Sequence, residues 1–502
     1  MPAGVVSGRN LACQSASRNG DAKKTVFSRS PAHSVERLLW YIAPMLRPFA
    51  RLVLSGLLLA SPALAEPPPP APRAAAPSLH LAIERFTLTN GLRVVLAPDP
   101  STPTVAVNVL YDVGSRNEER GRSGFAHLFE HMMFQGSANV PRGQHFQLVS
   151  GHGGQMNGTT SADRTQYFEM MPRSELPLAL WLEADRMKSL DVSDKNLDNQ
   201  RSVVKEEYRM RVENAAYVPA DLRLSELVFQ GYWPYEHSTI GSMRDLDAAQ
   251  LDWVRAFHAA YYGPNNAVLA ISGDFDPAEA KALVARFFGD APRIPSVPAY
   301  EPGPLAEQTT PRDAVVVDAH AELPAVLVGW AAPAAETADH DALEMVANLL
   351  TDGESSRLYR GLVRERGIAV EVDASLEGHH GPDELEITVK GAAGASAATL
   401  THLVDDELLM LGRTGPSPAE MAKLRRRAQA HFLLGLQSNL SRAQQLGAEE
   451  LYSGDANRLN TKLDRKLAVT PDDMRRVVGK YLTRARQSTV EVKPARAAGG
   501  KK

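Results

Sequence analysis

Apolar and polar positions alternate through residues 86–96, and Asn90-Gly91 divides the run in two. That pairing is a strong hairpin signal. Residues 104–113 extend the alternation as a third strand, and residues 124–134 change to a helical period. Strand patterns follow at 166–171 and 267–272, with helical patterns at 176–187, 197–211 and 251–262 between them. A Pro-rich stretch over 292–311 interrupts the pattern and reads as a linker. Beyond it the order resembles the first half. Strands are predicted at 314–318 and 325–330, a helix at 340–350, and strands at 385–390 and 489–493. Two later helices have clear starts, Ser417-Pro418-x-Glu420 and Thr470-Pro471-x-Asp473. Each joins a capping residue to Pro at the first position and an acid three residues on. The expected fold is α+β, two homologous α/β domains, each an antiparallel-rich sheet packed with helices. Their predicted limits are 84–291 and 313–495, joined by a linker over 292–312.

The N-terminal segment has a different character. Arg47 and Arg51 precede an apolar run over 52–60, then Ala63-Leu64-Ala65 and a Pro-rich stretch from Pro67. This is the layout of a secretory signal, with cleavage expected after Ala65 and a periplasmic destination. Met45 is the better start, which makes residues 1–44 an upstream extension. Residues 66–83 read as a Pro/Ala-rich leader. The apolar run is too short to span a bilayer comfortably.

The chain of 502 residues carries 55 Lys and Arg against 59 Asp and Glu. Residues 1–65 are basic on balance, so the remainder is more acidic than the net charge of −4 for the whole. A nucleic-acid binder needs a basic face, and this balance argues against one. The single cysteine, Cys13, lies upstream of the expected mature chain. A Cys-based metal site and a disulfide framework are thereby excluded, and a lipid-anchored lipoprotein is disfavoured. Any transition metal must be held by His and carboxylate.

The motif His127-Leu-Phe-Glu130-His131 meets that requirement. Residues i and i+4 share a helix face, so the two imidazoles stand side by side. Glu130 borders the same face and can reach a water on the metal without binding the metal itself. A catalytic zinc keeps three protein ligands and one open position. H-x-x-E-H is a known metallopeptidase signature. The third ligand must come from elsewhere, and the acidic helical stretch around Glu206 and Glu207 offers either residue. The remaining histidines singled out, His152, His237, His379 and His380, are expected on loops or the surface.

The stretch GFAHLFEHMMFQGS resembles the zinc helix of the pitrilysin/insulysin-type inverzincin peptidases, which include mitochondrial processing peptidase. GGQMNGTTSADRTQYF, NQRSVVKEEYRMR, YYGPNNAVLAISGDFDP and GESSRLYRGLVRERGIAVEV are similar to further stretches of the same family. The resemblance runs over about residues 84–495. It implies zinc (Zn2+) as cofactor, with Glu207, 76 residues after His131, as third ligand beside His127 and His131. It implies Glu130 as general base and Asn157 as a contact to the substrate backbone.

Two positions depart from the family pattern. Gln200 stands where many members carry a Glu, seven residues before the third ligand. Val363 and Val370 stand where the family's C-terminal half supplies an Arg and a Tyr that hold the substrate. The implied protein is a zinc endopeptidase acting on peptides or unfolded proteins. Its expected partner is a homologous zinc-less subunit that carries the Arg/Tyr pair, in a heterodimer. The rival readings are a non-catalytic assembly or binding subunit that keeps the fold, and a protease dedicated to one peptide precursor.

Overall fold

The structure, a computed structural model, describes residues 11–12 and 80–495. The expected signal sequence and its cleavage site lie outside the described residues. A two-residue strand, β1 (Leu11–Ala12), precedes β2 (Glu84–Thr87), β3 (Arg93–Pro98) and β4 (Thr104–Tyr111). The β2–β3 hairpin forms around Asn90-Gly91, with Gly91 at φ 94°. Next come α1 (Phe125–Met132), α2 (Gln144–Gly151), β5 (Gln155–Thr160) and β6 (Thr165–Pro172). Helices α3 (Leu176–Ser189) and α4 (Asp194–Tyr208) follow, and α4 runs into a π-helical segment, Arg209–Glu213. The first half closes with α5 (Val218–Val228), α6 (Trp233–Glu236), α7 (Met243–Ala248), α8 (Leu251–Tyr261), β7 (Ala267–Gly273) and α9 (Pro277–Phe288).

The second half holds β8 (Arg312–Asp318), β9 (Ala325–Ala332), α10 (Ala338–Thr351), β10 (Ala369–Leu376) and β11 (Asp383–Gly391). Then come α11 (Ala397–Thr414), α12 (Pro418–Gly435), α13 (Asn439–Ser453), α14 (Leu459–Ala468), α15 (Pro471–Tyr481) and β12 (Ser488–Pro494). Both expected capping boxes close, Ser417 with Glu420 and Thr470 with Asp473.

The first sheet has the order β1-β5-β6-β4-β7-β3-β2 and the second β10-β11-β9-β12-β8. Without β1 and β2 the two orders correspond strand for strand. Each has one parallel pair, β3 with β7 and β8 with β12, in an otherwise antiparallel sheet. The fold is therefore α+β and duplicated, and α1 and α10 occupy equivalent places in the chain order.

The halves exchange a helix. From the second half, α13 lies against β4, β7 and β3 of the first sheet. Ala443 and Leu446 of α13 share a buried cluster there with Val95, Leu110 and Ala270. The approach is close: a Cβ on Gly447 would stand 2.3 Å from Leu110. In return α5 covers β9, β12 and β8 of the second sheet. Its Ala220, Leu224 and Val228 pack with Ala325, Leu327, Val490 and Val492. Residues 80–495 accordingly lie within one compact unit.

Candidate metal centre and substrate edge

Helix α1 starts where Gly124 takes φ 88°, and a Cβ there would collide with the Ile240 carbonyl at 2.7 Å. Its first amide groups are met by Glu118, which accepts from Gly124 N at 2.9 Å and Ala126 N at 2.7 Å. A carboxylate at this position also suits the positive end of the helix. All eight residues of α1 are buried, so the motif points into the protein. The His127 and His131 rings lie 4.8 Å apart, edge to face.

Helix α4 brings the third group. Glu207 Oε2 lies 3.7 Å from His127 Nε2 and 3.2 Å from His131 Nε2. One ligand atom from each residue falls within 4.8 Å of the others. Glu206, one position earlier, points outward and pairs with Arg209. Arg211, in the π-helical segment, holds Glu207 Oε1 at 3.0 Å. Such π segments are often found at functional sites. Gln200, two turns before Glu207 on the same helix face, places Oε1 3.3 Å from His131 Nδ1. That contact directs Nε2 of His131 toward Glu207.

The electrostatics suit a metal. Burial, reinforced by the charge of His131, pulls His127 down to about 3, so its imidazole stays neutral. Burial pushes the Glu207 carboxyl up, but its bond to His131 and the charges of His131 and Arg211 outweigh that effect and leave it below its ordinary value. Both ring nitrogens of His127 are buried with no hydrogen-bond partner among the described residues. Buried polar atoms in proteins almost always have partners, and a cation on one of these nitrogens would supply one. The donor set of two imidazoles and one carboxylate fits zinc.

Glu130 is fully buried beside the cluster. Burial raises its carboxyl to about 7, against the pull of His131 and of the Thr160 hydroxyl. Thr160 Oγ1 donates to Glu130 Oε2 at 2.5 Å, while Oε1 has no hydrogen-bond partner among the described residues. Thr160 ends β5, the edge strand that also carries Asn157. Asn157 is half-buried, and its Oδ1 accepts from Gly158 N at 3.0 Å. Gly158 lies against Glu130: a Cβ there would be 3.1 Å from both Glu130 Cγ and the Phe134 ring. The outer edge of β5 pairs antiparallel with β1, Leu11 opposite Thr160 and Ala12 opposite Thr159.

The valines lie elsewhere. Val363 is half-buried in a second π-helical segment, Tyr359–Glu365, and packs against the second-half core. Val370, on β10, is half exposed. Of the other histidines, His152 and His380 are exposed. His237 and His379 are partly covered, stacked on Trp233 and Tyr235, and none of the four belongs to the His–His–Glu cluster.

Sequence reasoning missed Glu118 and Thr160, which carry no motif. It also missed a buried group of His145, Glu169 and Glu183, whose ligand atoms lie within 4.8 Å of one another. Arg186 enters this group, with Nε 2.9 Å from Glu183 Oε2 and Nη2 3.7 Å from Glu169 Oε1. Its guanidinium already balances a carboxylate, which makes the group an ion-pair network and a poor cation site.

A duplicated α+β chain with an inverted His-x-x-Glu-His helix facing a carboxylate has the build of an inverzincin. Residues 93–231 match the family model of the insulinases, peptidase family M16, and residues 248–428 match that of the peptidase M16 inactive domain. The chain belongs to peptidase family M16. The zinc protease PqqE of Helicobacter pylori is 31% identical over 82% of this chain and 93% of its own length. An uncharacterised zinc protease of Mycobacterium tuberculosis is 29% identical over 81% of this chain and 92% of its own. Among solved structures, a protease from Helicobacter pylori superposes with a TM-score of 0.78 at 30% identity, covering 82% of this chain and 100% of that one. Pitrilysin, at 16% identity and a TM-score of 0.68, shares the fold; the match covers 84% of this chain and 46% of pitrilysin. No helix among the described residues is long and apolar enough to cross a membrane.

Proposed function

We propose that this chain is a zinc-dependent endopeptidase of peptides or unfolded proteins, acting in the periplasm as the zinc-bearing subunit of a heterodimer. The observation that carries the proposal is the convergence of His127, His131 and Glu207 within 4.8 Å, next to a buried Glu130. His127, His131 and Glu207 would hold the zinc, which when bound would polarise the scissile carbonyl and acidify a water. Glu130 takes the proton of the attacking water on Oε1, the oxygen that Thr160 leaves free, and passes it to the departing amine. An extended substrate adds to the β5 edge, where main-chain hydrogen bonds give sequence-tolerant affinity and Asn157 supplies a side-chain contact.

Heterodimer formation rests on Val363 and Val370, whose side chains offer a substrate carbonyl no hydrogen bond. A zinc-less homologue with Arg and Tyr at those places would complete the grip. The periplasmic assignment rests on the signal-like pattern of residues 47–65. The domain limits of 84–291 and 313–495 belong to the same proposal.

The test is Glu130→Gln. We expect stoichiometric zinc to remain and hydrolysis of a quenched peptide to fall by roughly 10²–10⁴-fold, the range for a lost general base. Unchanged hydrolysis would refute the role of Glu130. Full activity of the purified chain as a monomer would refute the need for a partner.

A further inference from the structure

We infer that Asp163 is a positioning residue through which the second half holds the substrate edge of the first. Asp163 lies in the turn between β5 and β6, three residues after Thr160, and is 3% exposed. Its Oδ1 accepts from Arg116 Nη1 at 2.8 Å and from Tyr235 Oη at 2.7 Å. Its Oδ2 accepts from the backbone of His380, in the β10–β11 turn of the second half, at 2.9 Å. Burial pushes the Asp163 carboxyl up, but the charges of His379 and Arg116, with the bonds from the His380 backbone and Tyr235, outweigh it and hold it below its ordinary value.

The same turn of the second half is held twice more. Gly381 N donates to Tyr235 Oη at 2.9 Å, and a Cβ on Gly381 would stand 2.7 Å from that oxygen. The His379 ring stacks on Tyr235 with centroids 4.2 Å apart. On the first-half side, Arg116 N donates to Ala162 O at 3.0 Å, which pins the β5–β6 turn from below. Thr160, which holds Glu130, sits at the end of this clamped segment, and Arg164 on its far side donates to Thr159 Oγ1 at 3.1 Å. A cavity of about 710 Å³ opens beside the clamp, lined by Asp163, Arg164, Arg211, Tyr235, His379 and Tyr452. It joins the clamp to Arg211, the partner of Glu207. Among the described elements, β5 pairs with β6 and with the two-residue β1 and packs against α1 and α2, and this turn anchors its end. Loosening Asp163 therefore frees the strand that takes the substrate and holds the base, and leaves the zinc ligands in place.

The test compares Asp163→Asn and Tyr235→Phe with Arg85→Met. Arg85 of β2 also links the halves, through Glu450 of α13 at 2.6 Å, but it does not touch the edge. Tyr235→Phe removes one hydroxyl without changing the ring, so it keeps the test valid if Asp163→Asn folds poorly. Three quantities are measured: amide exchange across β5, zinc affinity by chelator competition, and KM against kcat for a quenched peptide. We expect both clamp variants to speed β5 exchange and raise KM by about tenfold, the equivalent of one charge-assisted hydrogen bond. Zinc affinity should stay at the wild-type value, and Arg85→Met should leave exchange and KM unchanged. Unchanged β5 protection in both clamp variants overturns the inference, and so does equal loosening in Arg85→Met. The KM arm rests on the proposed function; the exchange and zinc arms need no turnover. An inactive wild-type protein would thus count against that function while the clamp is still decided.

Discussion

The exchange of α5 and α13 makes the second sheet depend on a helix that belongs, in sequence, to the first half. Leu224 of α5 is fully buried, and its Cδ2 lies 3.0 Å from where a Cβ of Gly329 on β9 would be. The helix packs tightly on the strand beneath, so truncating Leu224 opens a gap in a close contact. Leu224→Ala should therefore cost about 3–5 kcal/mol, the range for a buried leucine that leaves a cavity. Native-state amide exchange is the assay. A loss of about 3 kcal/mol accelerates exchange through the same opening by about two powers of ten. The acceleration should appear in β9 and β12, although both strands lie about a hundred residues or more beyond the mutation. Leu446→Ala on α13, also fully buried, should do the reverse and expose β4 and β7 of the first sheet. If Leu224→Ala loosened only first-half amides and left β9 and β12 protected, the halves would have independent cores and the reasoning would fail.

The two glutamates on α4 separate cleanly. Glu207→Gln should abolish stoichiometric zinc in a chelator-competition titration, as should His131→Ala, whereas Glu206→Gln, on the solvent side, should bind zinc as the wild type does. The second half carries a pH-dependent tie. Arg357 donates to both oxygens of Glu420, at 2.8 and 2.9 Å, and this bond, with the Ser417 cap, lowers the Glu420 carboxyl to about 2 from an ordinary value of 4.5. A depressed carboxyl contributes stability that is present above about 4.5 and lost as pH falls through about 2. Arg357→Met should therefore flatten the fall of the urea midpoint across that window, and an unchanged slope would count against the tie.

Much of this architecture was legible locally. Alternation marked the β2–β3 hairpin, Pro and acid placement marked the starts of α12 and α15, and i, i+4 spacing put His127 and His131 on one helix face. These signals depend on neighbours a few residues apart, which the chain carries wherever it folds. The choice between Glu206 and Glu207 was different. Both lie on one helix, and what separates them is which face meets α1. The family resemblance pointed to Glu207, and the packing turns that residue inward and its neighbour to solvent.

Other features were settled only in three dimensions. An amphipathic helix announces that one face is buried, but not against which sheet, so the exchange of α5 and α13 could not be read from their periodicity. Glu118, Thr160 and Asp163 are short polar residues in turns and at element ends, where solvated side chains of the same types are common. Thr160 meets Glu130 and Asp163 meets the β10–β11 turn, while Glu118 joins the cap of α1 to His237, far along the chain. A polar residue acquires such a role when folding removes water from around it and leaves one protein atom to take its hydrogen bond. That substitution depends on long-range packing, which no local pattern encodes.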